Sequence, residues 1–192
     1  MLSGTPSSPT NASFRLRVAD ANGRAATNLF SLSILRRERA PYTETFENAG
    51  ALPAGWANTF VTGTTAWAFS KGGFSSTDPT NAHGGAYNAW LYSSTKGRVT
   101  KLVSPVLDFG QAPLSAELSF WHCMRSWSGD QDNLRVYYKT GGTNAWALLA
   151  SYTNEVAAWT ERTLALPAPG RTCFIAFEGV AHRAGLAVVL AH

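Results

Sequence analysis

The sequence predicts an all-β fold, a two-sheet antiparallel sandwich with an additional N-terminal β-hairpin, and three observations predict it. Short apolar–polar alternations recur along the 192 residues, whereas no ten-residue segment carries a 3.6-residue period. Clusters of Gly, Pro, Asn, Asp and Ser separate them, among them "NAGALPAG", "KGGFSSTDPTNAHGG", "WSGDQDN", "KTGGTN" and "PAPG". Composition agrees: 12% aromatic against 15% charged, with seven Trp, six Tyr and ten Phe, suits pleated, half-buried surfaces.

The hairpin comes first. Phe14, Leu16 and Val18 alternate with Arg15 and Arg17, and "DANG" follows as a turn in which Asn22-Gly23 tolerates positive φ. "ATNLFSLSIL" then alternates again, placing Phe30, Leu32 and Ile34 on one face. Two strands alone are marginal in water. The hairpin is therefore expected to dock on the following domain or to lie partly exposed. "RRER" at 36–39 reads as a solvated linker, which sets the expected regions at 1–38 and 39–192.

Strands are then expected at 42–47, 65–70, 87–92, 99–108, 114–124, 132–139, 145–152, 158–166, 172–178 and 185–190. Pro105 in "SPVLDF" suits a strand entrance because it lacks a donor. Gly141-Gly142 supplies the freedom of a hairpin turn, and Trp146 and Trp159 are expected to pack across neighbouring strands.

The net charge of +4 is scattered rather than gathered into a basic stripe, which argues against nucleic acid as a partner. Apolar runs are too short to span a bilayer, and residues 1–20 lack a charged-then-apolar leader. The chain therefore reads as an excerpt of a larger protein with no membrane insertion. No G-x-S-x-G, H-E-x-x-H or phosphate-binding glycine loop occurs, and the acidic residues are too dispersed for a glycosidase pair. No enzyme is expected.

The most suggestive stretch, "LSFWHCMRSWSGDQDNLRVYY" at 118–138, sets His122 beside Cys123. In a strand, adjacent side chains point to opposite faces, so the two cannot work as base and nucleophile. His122 reads as a hydrogen-bonded structural residue. His83, in a Gly-rich loop, reads as loop structure, and His182 and His192 have no partner signature. Cys123 and Cys173 each fall in a predicted strand, where they either bridge or remain two buried thiols.

Taken in order, "ETFENAGALPAGW", "AWAFS", "AHGGAYNAWLY", "KLVSPVLDF", "LSFWHC", "DNLRVYYKTGGTNAWALLASY", "AAWTERTLALP" and "IAFEG" resemble the jelly-roll domains of the MAM and cleaved-adhesin group over about residues 42–190. "LSGTP" with the hairpin resembles the end of an Ig-like repeat of large bacterial surface proteins. The first resemblance implies a jelly roll and, at Glu47 on the opening strand, a position where such domains often hold calcium. Asp132 is the second candidate metal ligand. Where the family's closing strand continues into two aspartates, "VVL" here is followed by Ala191 and His192, so any calcium site is expected to be weak or incomplete.

The resulting expectation is a non-catalytic adhesion or ligand-binding module of a secreted or surface bacterial protein, with an extracellular glycan or protein as partner besides the parent's neighbouring domains. Candidate binding residues are Trp127, Asp130, Asp132, Phe74 and Tyr92, on loops and strand ends where such scaffolds carry function. The alternatives are a spacer domain of a secreted protease or glycosidase with no ligand of its own, and an enzyme in its own right.

Overall fold

A computed structural model describes residues 10–74, 79–111 and 115–183, and the backbone of 186–190. The chain forms two compact units, Met1–Arg36 and Arg37–His192. In the first, β1 (Thr10–Ala19) and β2 (Ala25–Ile34) pair antiparallel with Phe14 opposite Phe30. Asp20 closes the turn, its Oδ1 accepting the Asn22 and Arg24 amides at 2.9 and 2.8 Å, while Gly23 takes the left-handed conformation at φ 81°. The Phe14 and Phe30 rings stack at 5.6 Å, and the apolar side chains of this face are exposed.

The second unit contains two sheets. Its strands are, in chain order, β3 (Arg37–Arg39), β4 (Ala57–Thr62), β5 (Ala68–Ser70), β6 (Asn88–Leu91), β7 (Arg98–Val103) and β8 (Val106–Asp108). They continue with β9 (Glu117–Met124), β10 (Asn133–Thr140), β11 (Ala147–Tyr152), β12 (Val156–Ala165), β13 (Cys173–Ala181) and β14 (Leu186–Leu190). One sheet runs β11-β10-β13-β7-β4, with β8 also on β13 and β3 on β8; the other runs β12-β9-β14-β6-β5.

The core lies between them. Phe120 of β9 meets Phe177 of β13 edge-to-face at 5.2 Å, tying the sheets together. Leu102, Leu134, Val136 and Ile175 face it from one sheet, and Phe69, Ala89, Leu91 and Met124 from the other. Each large apolar side chain so buried contributes roughly 1.5–3 kcal/mol before conformational entropy is charged against it.

Several expectations change. "RRER" is not a plain linker: Arg37–Arg39 form β3, which pairs with β8 in parallel, the one parallel pair among the described strands. Arg37 secures it, contacting Asp108 at 3.1 Å and the Arg171 carbonyl. No strand forms at 42–47, because Phe46 adopts φ 61°, which breaks the pleat, and its amide is taken by Glu44 at 2.8 Å. The expected strand 99–108 divides at Ser104-Pro105, where the Ser104 hydroxyl accepts the Ile175 amide at 3.0 Å. β4 escaped the pattern: a bulge between Phe60 and Thr62 disrupts its alternation. Cys123 and Cys173 are buried on different sheets and do not bridge, and burial pushes the Cys173 thiol up to about 11.

Candidate functional site

β6 lies between β5 and β14, with Ala89 and Leu91 turned to the core. Alternation therefore sends Asn88, Trp90 and Tyr92 to the outer face of the five-stranded sheet. Asn88, wholly buried there, grips the β5–β6 loop: its Oδ1 accepts the Gly72 amide and its Nδ2 donates to the Gly72 carbonyl, both at 2.9 Å. Gly72 sits at φ 72°, and a Cβ there would lie 2.2 Å from the Pro79 carbonyl oxygen, so this close crossing requires glycine.

Held in this way, the loop lays Phe74 flat on Tyr92, with centroids 3.7 Å apart and planes within 6°. Trp90 flanks them 6.0 Å from Phe74 and donates its indole N–H to Ser70 at 2.6 Å. Phe74 remains 56% exposed. The result is an open, flat, apolar surface with a rigid underside.

A second stack lies across the same face. His83, from the far part of that loop, stacks on Trp121 of β9 at 3.9 Å and 19°, with Trp159 of β12 at its edge 5.9 Å away. Trp159 donates its indole N–H to the Asn81 carbonyl at 3.0 Å. Glu47 fastens the loop's return: its Oε1 accepts the amides of Ala86 and Tyr87, each at 2.8 Å. Beside it Gly85 (φ 68°) again leaves no room for a Cβ.

The candidates read from sequence thus fall into separate places. Phe74 and Tyr92 come together. Trp127 and Asp130 form a tight turn instead, exchanging backbone hydrogen bonds of 2.9 and 2.8 Å across Ser128 (φ 49°) and Gly129 (φ 84°). That turn presents Trp127 at 59% exposure, and Asp130 pairs with Lys96. Asp132 does not face a ligand surface: it is 1% exposed, and its carboxylate accepts the His182 backbone amide. Glu47 and Asp132 are both engaged with backbone amides, and no group of three His, Cys, Asp or Glu side chains converges among the described residues. Ala191 and His192 lie outside the described residues.

His122 is fully buried beside Tyr152 (4.7 Å) and Phe120 (6.0 Å), and neither ring nitrogen has a hydrogen-bond partner among the described residues, contrary to expectation. Burial, helped by the nearby Arg162 charge, pulls its pKa down to about 4. It is a neutral core residue. Trp146 and Trp159 are not cross-strand neighbours either: Trp146 lies before β11, under Lys139 at 4.8 Å, on the other sheet.

A cavity of about 440 Å³ opens where β9 begins, lined by Tyr42, Trp56, Leu107, Phe109, Leu166 and Ile175. Two of its polar groups are held together with Glu44: Tyr42 donates to Glu44 at 2.9 Å and the Trp56 indole lies 3.1 Å from both oxygens. Burial drives the Tyr42 phenol well above its ordinary pKa, so it offers no acid–base function near neutrality.

The MAM domain model (meprin/A5/mu) matches residues 45–190. The chain belongs to the MAM family. Among solved structures this MAM domain is similar to the K1 cleaved adhesin domain of Lys-gingipain from Porphyromonas gingivalis W83, at 20% identity and TM-score 0.58, covering 78% of this chain and 94% of that one. The K3 cleaved adhesin domain of the same protein is similar at 21% identity and TM-score 0.58, over 78% and 95% of the two chains. A structure of a carbohydrate-binding module from the β-sandwich superfamily aligns at 14% identity and TM-score 0.53, covering 95% and 74%. At these identities the likeness establishes the sandwich. No curated protein matches the chain in sequence.

Trp90, His83, Trp121 and Trp159 were not among the sequence candidates. "NAWLY" held a usable signal, since Trp90 and Tyr92 are two residues apart on one strand face. His83 gave no sign of its stacking partner, which lies 38 residues away on another strand.

Proposed function

We propose that this MAM domain is a non-catalytic binding module that takes carbohydrate on the outer face of its five-stranded sheet, as part of a larger secreted or surface bacterial protein. The observation that carries the reading is the exposed Phe74 ring held flat on Tyr92 beside Trp90. A sugar ring has one face rich in C–H groups, and an aromatic face is apolar and electron-rich, so the two stack. A ring already fixed by its neighbour loses little conformational freedom on binding, which favours affinity. Adhesin and carbohydrate-binding modules among the structural relatives support the same reading. Among the described residues no helix is long and apolar enough to cross a membrane.

A glycan array probed with the wild-type chain and with Phe74→Ala, each with and without calcium, tests this. Specific retention that Phe74→Ala abolishes is expected. Retention of no glycan would favour a spacer role, and retention unchanged in Phe74→Ala would move the site elsewhere, Trp127 being the next exposed ring.

A further inference from the structure

We infer that the carbohydrate surface has a second contact, His83, and that its ligand is therefore an extended oligosaccharide lying across the strands rather than a single terminal sugar. The inference rests on the carbohydrate reading above and deepens it.

Both exposed rings come from one loop, and each is backed by a strand aromatic: Phe74 by Tyr92 and His83 by Trp121. The backing strands β6 and β9 flank β14, so they stand two strand spacings apart, roughly 10 Å. Register adds an offset along the strands. Leu91, next to Tyr92, lies opposite Leu186, whereas Trp121 lies opposite Val189, a step of at least three residues, or roughly 10 Å. No single pyranose ring reaches across that separation. A linear chain does, stacking one sugar on Phe74 and a later one on His83.

The second contact is built as firmly as the first. His83 has the Trp121 face beneath it and the Trp159 edge beside it. The backbone on its two sides is tied down, Asn81 by the Trp159 indole and Ala86-Tyr87 by Glu47. These ties hold the imidazole plane open to solvent, as Tyr92 holds Phe74.

Chain length is the readout. Calorimetric titration with β-1,4-linked galactose oligosaccharides and cello-oligosaccharides, each as disaccharide and hexasaccharide, compares wild type with His83→Ala and His83→Tyr. In wild type the hexasaccharide is expected to bind about two- to tenfold more tightly than the disaccharide, the scale of one added aromatic stack. His83→Ala removes that advantage while leaving disaccharide affinity on Phe74 unchanged, and His83→Tyr, which keeps a flat ring, restores it. Equal affinities for the two lengths in wild type overturn the second contact while leaving the carbohydrate reading intact. So does a His83→Ala hexasaccharide affinity equal to wild type. Binding of neither series at any length overturns both. Trp fluorescence and the melting temperature of each variant establish that it is folded, and failure of His83→Tyr to recover the length dependence in a folded protein also counts against the inference.

Discussion

The two sheets of this MAM domain turn opposite chemistries to solvent. On the seven-stranded sheet the outer face is organised by charge. Glu178 of β13, only 3% exposed, contacts Lys101 of β7, accepts from Arg135 of β10 at 3.0 Å and lies 3.4 Å from the Tyr137 hydroxyl. Lys101 also rides over the Tyr137 ring at 4.6 Å, and Lys139 over Phe174 at 4.9 Å. On the five-stranded sheet the outer face is organised by rings, stacked in pairs and left open. On the first face Glu178, Lys101, Arg135 and Lys139 each find a counter-group or a ring within the sheet. The second leaves planar apolar surface uncovered, and exposed surface of that kind marks interaction. With the proposed binding surface on the second face, stability and recognition fall on different faces, which mutations can separate.

The largest effect is expected on the charged face. Glu178→Ala leaves Lys101, its side chain 12% exposed, without its counter-charge, and should lower unfolding free energy by about 2–3 kcal/mol. That is below the value for a fully buried pair because Arg135 is well exposed. Urea denaturation checks it, and glycan retention of the folded variant should not change. An unaltered midpoint would break the contrast at its strongest point.

Next comes the layer between the faces. β9 carries Trp121 outward and His122 inward. His122 has a folded pKa of about 4, below the ordinary 6.5, so on acidification the unfolded chain takes up the proton first. The neutral histidine's contribution is intact above about pH 6.5 and is lost as pH falls toward 4, amounting to about 2 kcal/mol by pH 5. His122→Leu should remove this part of the acid sensitivity. Parallel pH–stability curves for the two proteins would exclude His122 as its source.

On the ring face the expectation reverses. Phe74→Ala removes one exposed stack, worth about 0.5–1.5 kcal/mol of stability, yet glycan retention should disappear. If the melting temperature falls as far as in Glu178→Ala, the ring face is holding the fold together and the contrast fails.

The smallest effect concerns calcium. Glu47, engaged with two backbone amides, gives a calcium ion few added charges, so millimolar calcium should barely raise the melting temperature. Glu47→Ala should leave no rise at all. A large calcium-dependent stabilisation of the wild-type chain would mean that a native-state site exists, since only binding to the folded form stabilises it.

What the sequence determined by itself was local. The period of two in Phe14-Leu16-Val18, Asn88-Trp90-Tyr92 and Phe120-His122 follows from the pleat, and the turns at Asn22-Gly23 and Gly141-Gly142 from glycine's access to positive φ. The ordered motifs were enough to identify a MAM-like jelly roll. Phe74 and Tyr92 were legible as candidates from their loop and strand-end positions.

Tertiary structure decided the rest, because it depends on partners distant in sequence. The alternation of "TFEN" does not give Phe46 its left-handed backbone; its ring is wholly buried against Trp56 and Phe69 at 5.4 and 5.5 Å, and the neighbouring Glu44 carboxylate then takes its amide. Nothing in "RRER" makes a strand until β8 offers an edge. Asp132, a candidate ligand from sequence, is buried, and the chain after β13 returns an amide to it. His83 gained its place only when the β5–β6 loop crossed to Trp121. Alternation assigns a side chain to a face, but which ring meets which is decided by strand order, and that order brings residues 74 and 83 of one loop onto strands separated by β14.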